Sequence, residues 1–191
     1  MPLTHACASH NDTDSRESGV AYKKAEKLGR TRIKSFVVPV LGISVPSLKD
    51  TWGEARSLGR THEGIDIIAP RGSVVVSPTK AIVVQIGTNQ LGGNVVYTAN
   101  PGGERFYFAH LDAVKKGLRV GQELRMGDVI GYVGNTGNAS STVPHLHFGI
   151  YNEGATNPFP RIKKRLNASV ERAIIAKEVM ARKRSLANKR K

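Results

Sequence analysis

The stretch AIVVQIGTNQLGGNVVYTANPGGERFYFA, residues 81–109, decides the fold of this chain. Two clusters of turn-forming residues divide it, Gly92-Gly93 and Pro101–Gly103, and glycine and proline are the residues that tight turns require. Between the clusters lie short runs rich in β-branched and aromatic residues, which predict antiparallel strands. The runs are Ala81–Ile86, Asn94–Thr98 and Arg105–Ala109.

The same pattern of short strand-like runs separated by turn residues extends over most of the chain. No run is followed by a helical pattern that would join parallel strands, so the sequence predicts a mostly antiparallel, all-β domain. The further runs are Phe36–Val40, Gly64–Ile68, Ser73–Val76, Asp128–Val133 and His145–Tyr151.

Changes in composition predict three segments. Residues 1–35 are polar and basic, and we expect a flexible N-terminal segment with a linker over Tyr22–Lys34. The β domain covers residues 36–160. In residues 161–191 apolar side chains recur at a helical period, which predicts a basic amphipathic helix over about Asn167–Ala187. The predicted apolar stripe consists of Leu166, Val170, Ile174, Ile175 and Val179.

Most of the positive charge lies in the C-terminal segment. The chain has 29 Lys and Arg and 15 Asp and Glu, a net charge of +14, and residues 161–191 hold 12 basic and two acidic side chains, a net +10. Clustered bases attract anionic wall polymers, membrane surfaces or nucleic acid through counterion release. A solvated helix is slightly favoured, since no aromatic residue interleaves with the bases to stack on nucleobases.

The N-terminal end offers no convincing site. His5, Cys7 and His10 are close in sequence, but the surrounding stretch is polar and typical of a disordered end, so no metal site is predicted there. The single cysteine predicts no internal disulfide. No apolar run reaches the length of a membrane span, and no signal peptide is visible.

A first pair of metal-ligand residues lies in THEGID, residues 61–66. On an extended chain His62 and Asp66 point to the same face, and Gly64 between them leaves room for an ion. A helix would also align the pair, but Gly64 and the β-branched Ile65 argue against one. The His-Glu-x-x-His motif of helical metalloproteases is absent, because position 66 is Asp.

A second pair, His145 and His147, opens the last run, where a period of two puts both imidazoles on one face and Leu146 on the other. His110 ends another run. Each feature alone is compatible with surface histidines or a hydrogen-bonded His-Asp pair. Their conjunction favours catalytic zinc, which takes three His or Asp ligands and keeps a fourth position open. The pattern leaves open which three groups bind the metal; the remaining histidines would transfer protons and stabilise an oxyanion.

Longer blocks resemble the lysostaphin-type (LytM-like) zinc metallopeptidases of bacterial cell walls. Both hallmarks of that family, His-x-x-x-Asp and His-x-His, are present, and the resemblance covers about residues 39–160. Ser73 stands where a threonine is usual. The matching blocks are Asp50–Gly53, Gly59–Ile67, Ala69–Gly72, Tyr107–Leu111, Gly131–Gly137 and Pro144–Phe148.

The resemblance implies a fold, a cofactor and residue roles. It implies a small, curved antiparallel sheet with the metal in a groove, and it makes His62, Asp66 and His147 the ligands of one Zn2+ per chain. His145 is implied to be the general base, and His110 to position water and stabilise the tetrahedral intermediate. The implied activity is hydrolysis of peptide bonds in peptidoglycan, such as stem-peptide cross-links, in the cell envelope.

Two other functions compete with a peptidase. The family also includes non-catalytic modules that bind the wall and activate a wall amidase, but these typically lose ligand or base residues, whereas all five positions are filled here. Nucleic-acid binding through the basic tail is a distant third.

Overall fold

The structure is a computed structural model that describes residues 12–188, so the expectation for His5, Cys7 and His10 lies outside the described residues. The helices in that range are α1 (Asp12–Ala25) and α2 (Ala168–Asn188). The strands are β1 (Phe36–Val37), β2 (Ile65–Ile68), β3 (Val74–Val76), β4 (Ala81–Asn89), β5 (Gly93–Asn100), β6 (Glu104–Val114), β7 (Glu123–Leu124), β8 (Val129–Val133), β9 (His145–Asn152), β10 (Gly154–Thr156) and β11 (Ile162–Lys164).

Strands β2 to β10 form one antiparallel sheet of nine strands. Its main path runs β10-β9-β6-β5-β4-β7, with β2 paired to β9 and β8 paired to both β6 and β3. β1 and β11 form a separate parallel pair. The predicted antiparallel all-β fold is confirmed, and each of the eight predicted runs contains a strand. The unpredicted strands β7, β10 and β11 are two or three residues long, too short to show a period of two.

The core lies on one face of the sheet and is filled by rings from neighbouring strands. Phe106, Phe108 and Phe148 are fully buried, and the rings of Phe106 and Phe148 meet edge to face at 5.4 Å. Burying a side chain of this size contributes about 1.5–3 kcal/mol. On β9 the core residues Leu146, Phe148 and Ile150 alternate with the two histidines, as the period of two predicts. The histidines therefore stand on the opposite face.

The segment before β1 differs from the flexible extension that we expected. Helix α1 packs on β4, where Ala21 is fully buried against Val84, and the Ser18 hydroxyl donates a hydrogen bond to the Val84 carbonyl at 3.0 Å. Within the predicted linker Tyr22–Lys34, a single helical turn continues to Leu28. The sequence shows little helical periodicity here, because only a few residues of this segment contact the sheet and most of them are small. These residues are Ala21, Ala25 and Leu28.

The β domain extends beyond the predicted boundary at Pro160. Strand β11 pairs with β1, and Ile162 is only 2% exposed in the core. The Arg161 guanidinium donates to both carboxylate oxygens of the buried Glu104 at 2.6 and 2.8 Å. Residues 161–164 are therefore part of the sheet domain, and the tail begins after Lys164.

Helix α2 confirms the predicted C-terminal helix but buries a different face from the predicted stripe. Leu166 and Ile174 contact the core, as expected. Val170, Ile175 and Val179 are instead 37–45% exposed. Among the described residues, neither helix has a stretch long and apolar enough to cross a membrane.

The buried face of α2 carries two carboxylates. Glu178 is 4% exposed and accepts hydrogen bonds from Lys115 Nζ at 2.5 Å and from the Tyr132 hydroxyl at 2.5 Å. Glu171 is 5% exposed and accepts a bond from Arg165 Nη2 at 2.5 Å. Buried carboxylates need such partners, and the partners decide which face of the helix packs.

We predict that Glu178→Gln destabilises the protein by about 1–3 kcal/mol at pH 7. Burial alone would raise the pKa of Glu178, but hydrogen bonds from Lys115 and Tyr132 outweigh it and hold the pKa below its ordinary value of 4.5. The carboxylate therefore stabilises the fold above about pH 4.5, and this contribution disappears as pH falls through the lowered pKa.

Urea unfolding of the wild type and of Glu178→Gln at pH 7 and at pH 3 checks this prediction. The difference in unfolding free energy should be largest at pH 7 and should decrease toward pH 3. Glu26→Gln, at an exposed position, is the matched control and should behave like the wild type. Equal stability of Glu178→Gln and wild type at pH 7 would contradict the prediction.

Candidate metal centre

The first predicted pair is positioned by β2 and the loop before it. The His62 amide donates to the Glu54 carbonyl and its carbonyl accepts from the Gly53 amide, both at 2.9 Å, which fixes the backbone of this candidate ligand. Asp66 lies within β2, directly opposite His147 of β9. Antiparallel pairing of the two strands therefore brings the predicted pairs together.

Gly64 makes room for a ring of the site. A Cβ atom there would lie 2.8 Å from Cε1 and Nε2 of His147 and 2.7 Å from the Phe148 carbonyl oxygen. Side chains in a close-packed interior cannot approach that closely, so only glycine fits. We expected this gap to leave room for an ion; the structure instead fills it with the His147 imidazole.

Three side-chain atoms converge from β2 and β9. His62 Nε2 lies 2.9 Å from His147 Nδ1 and 3.1 Å from Asp66 Oδ1, and the last two atoms are 3.3 Å apart. Ligands about 2.0–2.2 Å from a tetrahedral zinc ion lie about 3.3–3.6 Å from one another. The spacing is thus close to that of a tetrahedral ligand set. Lone pairs held this close need a shared proton or cation between them.

His110 reaches the site through an irregularity in β6. Phe106 and Phe108 face the core, so an unbroken period of two would send residue 110 there as well. His110 has a positive φ of 61°, and its amide donates to the Gly92 carbonyl at 2.7 Å. After this irregularity Leu111 occupies the core, and the His110 ring lies 4.9 Å from the His145 ring on the site face. A non-glycine residue in this conformation costs about 1–3 kcal/mol and is typical of functional positions.

The two remaining histidines share one hydrogen-bond arrangement. His145 Nδ1 lies 2.8 Å from the Val143 carbonyl, and His110 Nδ1 lies 2.8 Å from the Thr136 carbonyl. A carbonyl only accepts, so each Nδ1 bears a proton, and in the neutral ring this leaves the lone pair on Nε2. His145 Nε2 lies 3.8 Å from Asp66 Oδ1. All five predicted site residues are therefore brought into one cluster.

Two further residues support the cluster and were not predicted. His62 Nδ1 donates to the Thr51 carbonyl at 2.6 Å, and the Asp66 amide donates to the Thr51 hydroxyl at 3.0 Å. Arg56 Nη2 donates to Asp66 Oδ2 at 2.5 Å, which leaves Oδ1 for the other donors. Such outer contacts orient ligands. Thr51 lies in a block that matched the family, but no spacing rule identifies Arg56.

The protonation states suit a cation. Burial alone would raise the pKa of Asp66, but hydrogen bonds from His147 and His62 hold it well below its ordinary value. Burial lowers the pKa of His147 and lowers that of His110 to about 4, although the hydrogen bond to Thr136 opposes the second shift. At neutral pH Asp66 is ionised and these two rings are uncharged, as ligation and proton acceptance require.

Comparison with known proteins identifies relatives of this domain. Residues 60–158 match the family described as Peptidase family M23. The L-Ala–D-Glu endopeptidase of Bacillus subtilis is 37% identical over 129 residues, 61% of this chain and 40% of that protein. Peptidoglycan DD-endopeptidase ShyC of Vibrio cholerae is 29% identical over 107 residues, 53% of this chain and 24% of that protein. The chain thus spans less than half the length of either relative.

A solved structure gives the same result for the fold. The catalytic domain of the antimicrobial peptidase lysostaphin from Staphylococcus simulans matches with a TM-score of 0.54 and 28% identity, over 61% of this chain and 92% of that domain. The resemblance inferred from sequence blocks is therefore confirmed, including the antiparallel sheet.

We predict that Gly64→Ala weakens zinc binding by roughly ten-fold or more, because the added methyl group must displace His147. Gly87→Ala is the matched control, since a Cβ at Gly87 would meet nothing within 4 Å. Zinc affinity is measured by competition with a chromogenic chelator, and folding by circular dichroism. A folded Gly64→Ala protein with the zinc affinity of the wild type would contradict the role given to this glycine.

Proposed function

The chain belongs to peptidase family M23, and we propose on this basis that it is a zinc-dependent endopeptidase that hydrolyses peptide bonds of bacterial peptidoglycan, such as stem-peptide cross-links. The observation that carries the proposal is the convergence of three ligand-type atoms within 4.8 Å of one another, beside two further histidines. The relatives support the substrate class, since they include a peptidoglycan DD-endopeptidase and an L-Ala–D-Glu endopeptidase.

We assign one zinc ion per chain to His62 Nε2, Asp66 Oδ1 and His147 Nδ1. Two imidazoles and a carboxylate are the donor types of catalytic zinc, and their spacing in this chain supports the assignment. When bound in such a site, zinc polarises the scissile carbonyl and lowers the pKa of a water ligand to about 7.

The two remaining histidines perform the proton transfers. His145 Nε2 accepts a proton from the attacking water, and the imidazolium that forms returns this proton to the leaving amine as the C–N bond breaks. His110 Nε2 accepts a hydrogen bond from the water and so positions it, and in the tetrahedral intermediate it accepts from the hydroxyl group that the water has become, which stabilises that intermediate. The carbonyls of Val143 and Thr136 hold both rings in the required tautomer.

We predict that His145→Ala and His110→Ala keep their zinc and lose turnover by about 10²–10⁴-fold, since each loses a proton-transfer group and no ligand. Digestion of purified peptidoglycan followed by mass spectrometry of the fragments measures turnover and identifies the bond. Metal analysis of the same samples is the control. Loss of zinc in His145→Ala with retention in His147→Ala would reverse the two roles. A zinc-loaded wild type that binds peptidoglycan but releases no fragments would favour the non-catalytic binding module.

We further propose that the protein acts in the cell envelope and that α2 attracts anionic wall polymers or an anionic membrane surface. Support comes from the net +10 of residues 161–191 and from the exposure of Lys177, Lys183 and Arg184 on α2. Both acidic residues of the tail are buried in the face that packs on the sheet, so the bases dominate the outer face. Nucleic acid is not the proposed partner, because no aromatic residue accompanies the bases.

We predict that Lys177→Gln, Lys183→Gln and Arg184→Gln in one variant reduce adsorption to insoluble wall material by at least about ten-fold at low salt, at about 1 kcal/mol per base. The difference should shrink as salt shortens the Debye length to below about 8 Å. Hydrolysis of small soluble peptides should not change. A control variant removes the same charge at the exposed residues Lys27, Arg30 and Lys34. An equal loss of adsorption in both variants would show that net charge, and not α2, binds the wall.

A further inference from the structure

A row of tyrosines continues the site face of the sheet beyond the metal centre. Tyr97 of β5 and Tyr107 of β6 are register partners, and their rings stack at 4.5 Å. The Tyr107 ring lies 6.3 Å from that of Tyr151 on β9 and 5.7 Å from that of His147. The row therefore begins at a proposed metal ligand and crosses three adjacent strands.

Two glycines leave space for these rings. A Cβ at Gly149 would lie 3.0 Å from the Tyr151 ring, and a Cβ at Gly92 would overlap the Tyr107 hydroxyl. Burial raises the pKa of Tyr107, of Tyr97 and of Tyr151, the last to about 12. The row is thus a neutral, largely buried platform, in which Tyr97 and Tyr151 are partly exposed.

Arg105 stands at the far end of this platform. It lies on β6 two residues before Tyr107, on the same face, and is the register partner of Tyr151. Its side chain is exposed although β6 is an interior strand, paired on both sides by β5 and β9, so this part of the sheet face is open to solvent. Its charge acts on both Tyr97 and Tyr151. Among residues 17–188, no carboxylate lies within ion-pair distance of it, in contrast to Arg56, which holds Asp66.

The distance from Arg105 to the metal centre can be counted in residues. Ala109 of β6 is the register partner of His147, and Arg105 lies four residues before it. At about 3.3 Å per residue, Arg105 lies about 13 Å along β6 from Ala109, which is level with the proposed ligand His147. An extended peptide has nearly the same rise, so a group held at Arg105 is three to four residues from the bond at the metal centre.

We propose that Arg105 binds a carboxylate of the substrate peptide three to four residues from the bond that is cleaved. Arginine suits this task because its planar donor fork matches a carboxylate. The inference rests on the proposed function, since it assumes that the peptide extends along this face from the metal centre. It makes Arg105 a specificity-determining residue that selects peptides with an acidic group at this distance.

The Glu63 carboxylate is the competing charge in this region. It acts on Tyr151 from the loop before β2 and is exposed, so it could select an ammonium group of the peptide instead. The two residues would select different peptides. Arg105 would strengthen the binding of a peptide with a free carboxylate, and Glu63 would strengthen the binding of a peptide with an ammonium group. Paired peptides with a free or an amidated carboxylate distinguish them.

The test uses synthetic stem peptides of graded length, each made as the C-terminal acid and as the amide. We expect the wild type to show a KM about ten-fold lower for the acid when its carboxylate is three to four residues from the cleaved bond, with kcat within about two-fold. Arg105→Gln should raise the KM of the acid to that of the amide and leave the amide unchanged. Arg119→Gln, which removes an equal charge at an exposed turn, should match the wild type.

Binding to His145→Ala, measured by fluorescence anisotropy of N-terminally labelled peptides, separates this inference from the proposed function. Tighter binding of the acid that depends on Arg105, without hydrolysis by the wild type, would support the subsite and overturn the peptidase. Hydrolysis of acid and amide with equal KM, unchanged in Arg105→Gln, would overturn the subsite and leave the peptidase intact. A preference that is lost in Glu63→Gln and kept in Arg105→Gln would also overturn it.

Discussion

The antiparallel pairing of β2 with β9 is the constraint on which the site depends. It places Asp66 directly opposite His147, and the absence of a side chain at Gly64 lets the His147 ring turn inward beside His62. A shift of one residue in this register would turn the ligand face of a strand toward the core. The core residues Leu146, Phe148 and Ile150 oppose such a shift, because each is fully buried on the other face of β9. Core packing and the geometry of the proposed metal site therefore require the same register.

The site divides its tasks between strands and loops. The proposed ligands are held by the paired strands β2 and β9, whose backbone is fixed by the sheet. The proposed proton-transfer histidines are oriented by loop carbonyls, those of Val143 and Thr136. Thr136 is itself anchored, since its hydroxyl accepts from the Asn94 amide and donates to the Leu111 carbonyl, both at 2.9 Å. This arrangement gives a rigid ligand set beside bases whose tautomers are defined by their surroundings.

Periodicity and glycine placement made the strands and the face on which each ligand-type pair lies predictable, because these features are local in sequence. The position of His110 was not predictable from periodicity, since a period of two directs it to the core and a positive φ redirects it. Arg56 was missed because a lone arginine gives no local signal. The packed face of α2 was predicted wrongly because Lys115, the partner of Glu178, lies 63 positions away in sequence. Each miss depends on a contact between residues that no sequence pattern links.

The two faces of the sheet and the C-terminal helix thus have separate properties. One face is an aromatic and aliphatic core, and the other carries the ligand-type cluster and the platform of Tyr97, Tyr107 and Tyr151. Helix α2 packs through buried carboxylates and presents its bases outward. The proposed chemistry, substrate selection and wall attachment can therefore be tested by separate substitutions.

Anomalous diffraction from crystals grown with zinc, recorded on both sides of the zinc absorption edge, tests the central claim most directly. The account predicts one strong peak per chain, bonded to His62 Nε2, Asp66 Oδ1 and His147 Nδ1 at about 2.0–2.2 Å, with His145 and His110 outside bonding distance. A peak bonded to His145 or His110 in place of one of these ligands, or zinc bound only elsewhere on the chain, would contradict it.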